Sequence, residues 1–235
     1  MRALVVGASG GIGSAFVELL AAQARYTQVV TWSRSEAVTS REKVVPIHGI
    51  DLQDEETIAE AAQRLGEVDL AIVATGVLHD VDLKPEKSWR SLEPNAMKRA
   101  FEINTTGPAL IAKHVLPLLP RDRRAVFAVL SARVGSIGDN RLGGWHSYRA
   151  SKAALNQLIR CFSIELSTKR PQAICVSLHP GTVDTGLSKP YQSGVPEGNL
   201  FTPAESARRL LGVLDVLTPA QSGRVFDWAG KEIEP

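Results

Sequence analysis

The run Arg2-Ala3-Leu4-Val5-Val6-Gly7-Ala8-Ser9-Gly10-Gly11-Ile12-Gly13 passes from a short apolar stretch into a glycine-rich turn, and then into Ser14 to Ala24, an alanine- and leucine-rich helical pattern. Strand, glycine turn and helix form the context that makes a glycine motif a phosphate-binding expectation. Gly7, Gly11 and Gly13 let the backbone turn tightly and come close to a pyrophosphate. The helix N-terminus behind them offers unpaired N–H groups and a favourable dipole. A glycine loop alone is weak evidence; the matching second strand, Gln28 to Trp32, gives it weight.

The same alternation continues outward. Val44 to His48, Val68 to Val73, Ala125 to Ser131, Gln172 to His179 and Arg224 to Trp228 read as further strands. Helical patterns cover Glu55 to Leu65, Asn95 to Leu119 with an interruption near Gly107-Pro108, the Tyr148 segment to about Ser167, and Pro203 to Leu217. Such alternation predicts an α/β fold: one doubly wound, Rossmann-like parallel sheet of about seven strands with helices on both faces. Residues 1–235 are expected to form a single dinucleotide-binding and catalytic domain. The glycine loop, Ala74-Thr75-Gly76, Ser131 and Pro180 to Thr185 then fall on one sheet edge, where such folds bind ligands.

Composition narrows the partners. A formal charge of +2 with dispersed Lys and Arg argues against nucleic acid and against an acidic membrane surface. Cys161 and Cys175 read as small buried hydrophobes in a reducing compartment, and the five histidines have no metal-ligand spacing. Ala3 to Val6 is too short for a signal segment and no stretch is long enough to cross a bilayer, so a soluble cytoplasmic protein is expected.

After the second strand, the position where an acid would hold a ribose 2′-hydroxyl reads Thr31-Trp32-Ser33-Arg34-Ser35, with no carboxylate until Glu36. A guanidinium with flanking hydroxyls, Arg34 and Ser33 among them, suits a 2′-phosphate, so NADP(H) is favoured over NAD. The competing reading makes Arg34 a polar strand-end residue. Asp51, with Leu52, could accept from an adenine amino group or simply cap the helix beginning near Asp54. Ala74-Thr75-Gly76 allows close passage of a cofactor, although a tight strand exit alone would also explain Gly76.

Tyr148 and Lys152 stand four apart at the opening of a helix, and so share one face. A neighbouring ammonium favours the phenolate, bringing the tyrosine toward acid-base use; the bland alternative is an ordinary amphipathic surface. Asn104 is either solvent-facing or, at a kink, a holder of water or a carbonyl.

With these motifs in order, the chain resembles the short-chain dehydrogenase/reductase family over essentially its whole length, most closely its C-factor-like branch. The resemblance rests on Gly7-Ala8-Ser9-Gly10-Gly11-Ile12-Gly13, Asp51-Leu52, Asn104, Tyr148-Arg149-Ala150-Ser151-Lys152 and Pro180-Gly181-Thr182-Val183-Asp184-Thr185. It implies that Tyr148 is the general acid in carbonyl reduction and that Lys152 holds the nicotinamide ribose and lowers the tyrosine pKa. It further implies that Asn104 positions a water relaying protons to Lys152. Thr185 with the Pro180 turn, including Gly181 and Val183, would contact the carboxamide, and Asp51 and Leu52 would frame the adenine. Homodimers or homotetramers pairing through the long helices are implied as well.

Two departures bear on function. Val73-Ala74-Thr75-Gly76 replaces the family's Asn-Asn-Ala-Gly, and Ser131-Ala132-Arg133-Val134-Gly135 puts a methyl where the family's carbonyl-binding serine stands. Ser131 could substitute if the strand end bulges, and Ser136 is another donor. Where the family's NADP users often carry a basic residue in the glycine loop, this chain has Gly10, leaving Arg34 as the main phosphate contact. The expected activity is NADP(H)-dependent hydride transfer to or from a carbonyl or secondary alcohol. The alternative is a cofactor-binding signalling or regulatory protein with little turnover, and Ala132 is the feature that favours it. The Gly186 to Thr202 loop is expected to form a lid over the substrate.

Overall fold

A computed structural model describes residues 1–35, 41–81 and 83–235; Glu36 lies outside the described residues. Among the described residues, ten strands and six α-helices follow in chain order. Strands β1 (Arg2–Val6), β2 (Gln28–Trp32), β3 (Val44–Ile47), β4 (Leu70–Val73), β5 (Ala125–Leu130) and β6 (Ala173–His179) alternate with helices α1 (Gly11–Ala21), α2 (Glu55–Gln63), α3 (Pro94–Phe101), α4 (Gly107–Val115) and α5 (His146–Lys169). Then come β7 (Thr182–Val183), β8 (Leu200–Phe201), α6 (Pro203–Val216), β9 (Val225–Asp227) and β10 (Glu232–Ile233).

The main sheet runs β10-β9-β6-β5-β4-β1-β2-β3 and is parallel except for β10, which pairs antiparallel with β9. Its interior strands, β1, β4 and β5 among them, are apolar on both sides because both sides are covered. Successive residues of β1 divide accordingly: Ala3 and Val5 join Phe16, Leu20, Leu210 and Leu214 of α1 and α6, whereas Leu4 and Val6 join Ile58, Ile111, Leu155 and Ile159 of α2, α4 and α5. Strand β1 pairs with β2 on one side and β4 on the other. The winding therefore reverses between β1 and β4, and the crevice opens where the Gly7 and Ala74 turns leave the sheet. Among the described residues no helix is long and apolar enough to cross a membrane.

The doubly wound sheet is as expected, with eight strands rather than about seven. The additional strand, β10, is two residues long, too short for any periodicity to announce it. The lid segment also contributes a strand, β8, which pairs in parallel with β7. The helix expected over Asn95 to Leu119 is divided: α3 passes into a π-turn at Glu102–Thr106 before α4, and a 3-10 turn at Leu116–Leu118 closes it. Cys175 is buried, but Cys161 is only half-buried, with its Sγ 3.5 Å from Gln157 Nε2.

Candidate active site

The glycine loop is built by close approach. Gly7 has φ +82°, in the left-handed region, and its N–H donates to Trp32 O at 2.8 Å. A Cβ on Gly13 would lie 2.1 Å from Gly7 O, so helix α1 can pack under the turn only with glycine there. At Gly11 a Cβ would lie 2.9 Å from Thr185 Cγ2, which places the β7 exit against the loop.

Two adjoining cavities share Ala74, Thr75 and Gly76 as their common wall. The first, about 440 Å³, is lined by Gly7, Ser9, Ser33, Arg34, Asp51 and Leu52. The second, about 250 Å³, is lined by Ile12, Ser131, Tyr148, Lys152 and the turn through Pro180, Gly181, Val183 and Thr185. Gly11, Gly13 and Asn104 line neither; the glycines support the loop from beneath.

Arg34 has an exposed side chain without a bonding partner among the described residues. The Ser33 hydroxyl, by contrast, already donates to Ser35 O at 2.7 Å. Asp54, not Asp51, caps α2 by accepting from Glu56 N. Asp51 accepts from Gln53 N at 3.0 Å in a local turn on the cavity wall.

Asn104 is fully buried within the π-turn. Its amide donates to Val77 O and accepts from Val77 N, both at 2.8 Å, and donates to Ser151 Oγ at 3.2 Å. This clamp ties the β4 exit to α5. It decides between the two sequence readings of Asn104, since the carboxamide holds backbone and does not face solvent. A Cβ on Gly76 would lie 3.3 Å from Asn104 Oδ1 and 3.4 Å from Lys152 Nζ, so Gly76 keeps open the gap between these two groups.

Tyr148 and Lys152 are both buried in the second cavity, one turn apart on α5 as their spacing implied. Lys152 Nζ donates to Leu130 O at 2.9 Å and sits 6.0 Å from the Tyr148 ring centroid. Burial lowers the lysine from an ordinary 10.5 to about 8 and pushes the Tyr148 phenol up. In the protein alone, loss of water raises the phenol, and the Lys152 proton is directed at a backbone carbonyl.

At the vacant serine position, Ser131 and Ala132 both line the second cavity. Ser131 Oγ is buried without a hydrogen-bond partner among the described residues. Ser136 is removed from consideration, because its Oγ accepts from Asp139 N at 3.0 Å and the residue does not line the cavity. Thr75 Oγ1 is a second buried hydroxyl without a described partner, on the wall between the cavities.

Sequence reasoning missed the aromatic wall. Trp145 stacks edge-on against Tyr191 at 5.1 Å and Tyr148 at 6.3 Å, and Tyr191 against His79 at 5.7 Å. Leu78, Val134 and Leu187 complete that side of the cavity. Tyr191 lies in the lid segment, whose Gly, Pro and Ser content carries no periodicity to single it out. His179 also lines the cavity, and burial lowers its imidazole to about 4, the Asp227 carboxylate opposing.

A family model described as short chain dehydrogenase matches residues 1–195. Among curated proteins, the chain is 36% identical over 176 residues to 1-hydroxy-2-glutathionyl-2-methyl-3-butene dehydrogenase of Rhodococcus sp. (strain AD45), covering 75% of this chain and 74% of that one. It is 40% identical over 138 residues to C-signal of Myxococcus xanthus, covering 58% and 77%. Among solved structures, the NADPH-bound carbonyl reductase from chicken fatty liver aligns with TM-score 0.84 and 26% identity, covering 100% of this chain and 94% of that one.

Proposed function

Since the chain belongs to the short-chain dehydrogenase family, we propose that it is an NADP(H)-dependent oxidoreductase acting on a carbonyl or secondary alcohol, with Tyr148 as the acid-base residue. The observation that carries this reading is the placement of Tyr148 and Lys152 in a cavity that shares the wall Ala74 to Gly76 with one built on the glycine loop. The residues fit a dinucleotide: a Cβ at Gly7, Gly11 or Gly13 would meet Thr75, Thr185 or the Gly7 carbonyl, so only glycine keeps the tight turn that can approach a pyrophosphate. When bound, the cofactor supplies or takes the hydride.

The chain's own residues do the rest. Tyr148, held protonated by burial, donates to the carbonyl oxygen, and Lys152 offers its ammonium to the ribose. Asn104 fixes the β4 exit against α5 and so sets the distance between the cofactor wall and the tyrosine helix. Ser131, next to Ala132 and with its hydroxyl unpartnered among the described residues, is placed to meet the developing oxyanion. Arg34 supports the choice of NADP(H), as does the NADPH in the carbonyl reductase relative.

The substrate side of the cavity favours an uncharged carbonyl with an apolar or aromatic body. Trp145, Tyr191, Leu78 and Leu187 line it, and the charged neighbours are engaged: Arg133 with Asp139, and Arg149 with the Gly144 and Val134 carbonyls. A regulatory role with little turnover is the second reading, supported by Ala132 and by the likeness to C-signal. NADPH consumption with a panel of aldehydes, ketones and quinones separates the two. The enzyme reading requires turnover that falls at least about 100-fold in Tyr148→Phe while NADPH binding survives. Equal, negligible rates in both proteins would favour regulation. Tighter binding of NADH than NADPH by the wild type would defeat the cofactor assignment, which Arg34→Ala tests separately.

A further inference from the structure

Glu86 lies in the irregular segment between β4 and α3 and is 4% exposed. Its carboxylate reaches the start of α5. Oε2 accepts from Ser147 N at 3.2 Å and Oε1 accepts from the Ser147 hydroxyl, while the Glu86 backbone carbonyl accepts from Trp145 N at 2.5 Å. Helix α5 has no side-chain cap of its own, since its N-cap residue is Trp145. The chain therefore supplies from a distant loop what a Ser or Asp normally supplies at the N-cap.

The approach to the helix is a strained one. Gly143, Gly144 and Trp145 have φ of +62°, +66° and +50°, and Trp145 is the single non-glycine with positive φ among the described residues. A bulky L-residue there is costly and persists where surrounding contacts over-determine it. The Glu86 carbonyl on its N–H and the ring contacts to Tyr148 and Tyr191 are those contacts. A carboxylate is buried only when its oxygens are satisfied, and both here are satisfied by one residue, adjacent to Tyr148.

We propose that Glu86 is a positioning residue: by clamping Ser147 and Trp145 it fixes the first turn of α5, and thereby the place of the Tyr148 phenol and the Trp145 wall in the cavity. Its kinetic consequence rests on the reductase reading above; its structural consequence does not. Displacement of an acid by an ångström can cost on the order of 100-fold in rate, whereas the dinucleotide loop and Arg34 touch none of these bonds.

The test uses the full chain as wild type, Glu86→Ala, Glu86→Gln and Ser147→Ala, with NADPH and 9,10-phenanthrenequinone as probes. Glu86→Ala should lose at least about tenfold in kcat per folded molecule, with NADPH Kd unchanged. Glu86→Gln should recover most of that loss, because its amide oxygen still accepts from Ser147 N and its NH2 can donate to the hydroxyl. Hydrogen exchange supplies the second readout: amides 147–152 should exchange faster in Glu86→Ala while Ile159 to Leu166 keep their protection. Unchanged kcat, an equal loss in Glu86→Gln, or exchange that rises uniformly along α5 would overturn the proposal. If Glu86→Ala does not fold, Ser147→Ala carries the same readouts. If the wild type turns over nothing with any carbonyl, the reductase reading fails, and exchange at 147–152 alone decides the role of Glu86.

Discussion

Replacing Ser131 by alanine should separate stability from catalysis. The Ser131 hydroxyl is buried and has no described partner, so the folded protein bears its desolvation, on the order of 1–3 kcal/mol, without a compensating bond. Removing one oxygen leaves a gap smaller than a methyl group, with a packing cost of about 1 kcal/mol. The two effects oppose each other, so Ser131→Ala should shift Tm by no more than a few degrees, at about 2–4 °C per kcal/mol for a chain of this size. Catalysis should respond differently. If this hydroxyl meets the carbonyl oxygen in place of the one missing at Ala132, its loss costs about 2.7–4 kcal/mol of transition-state stabilisation, or roughly 100- to 1000-fold in kcat. Single-turnover reduction of 9,10-phenanthrenequinone at saturating NADPH, beside a thermal melt, measures both quantities. Ala132→Ser, made in parallel, restores a hydroxyl at the family's usual position and should rescue Ser131→Ala. A Ser131→Ala kcat within about threefold of wild type would refute the assignment. So would a large fall in Tm, which would mean that the hydroxyl is bonded in the folded protein.

Three other outcomes follow from the same geometry. Gly13→Ala should abolish NADPH binding or folding, because its Cβ would stand 2.1 Å from a backbone oxygen that cannot rotate away; isothermal titration and a melt distinguish the two. Lys152 titrates at about 8 in the folded protein against an ordinary 10.5, so between those values the unfolded chain holds the extra proton, and stability gains with rising pH. Wild type should therefore gain on Lys152→Met from pH 8 toward 10.5 in denaturant melts, and a flat difference would show that the lysine is solvated. The aromatic, charge-engaged wall should make benzaldehyde a better substrate than 4-carboxybenzaldehyde by at least about tenfold in kcat/KM, and the opposite order would place an unrecognised cation in the cavity.

What was legible in the sequence was local or periodic. The glycine loop, the strand and helix alternation and the four-residue spacing of Tyr148 and Lys152 are repeats of two or 3.6 residues, or tight turns, and they recur in the predicted order, although α1 starts three residues early and the Asn95 to Leu119 helix is divided. Asn104 was legible as a residue at an interruption, but the π-turn answers a demand made by Val77, which is 27 residues away in sequence. Glu86 was not legible, since nothing local in sequence distinguishes a buried carboxylate from a solvated one. Strand β10 was missed because two residues have no period.

Burial also bears on the electrostatic reading of the tyrosine. A depressed phenol would serve as a base at neutral pH; Tyr148 is instead held above its ordinary pKa, and Lys152 is weakened as a cation by the same loss of water. On the proposed reading, the protonated form of Tyr148, which burial favours, is the one that gives a proton to a carbonyl oxygen. Oxidation of an alcohol must, on the same reading, first remove that proton, and the cation beside the phenol is Lys152, 6.0 Å from the ring centroid, His179 being lowered to about 4. Because proton donation also leaves a phenolate in the same buried site, burial bears on the pH dependence of the two directions rather than on the balance between them. Steady-state rates in the two directions across pH 6–10 should show reduction holding while alcohol oxidation climbs only at the alkaline end; oxidation that is already maximal at neutral pH would mean that the phenol ionises far more readily than its burial allows.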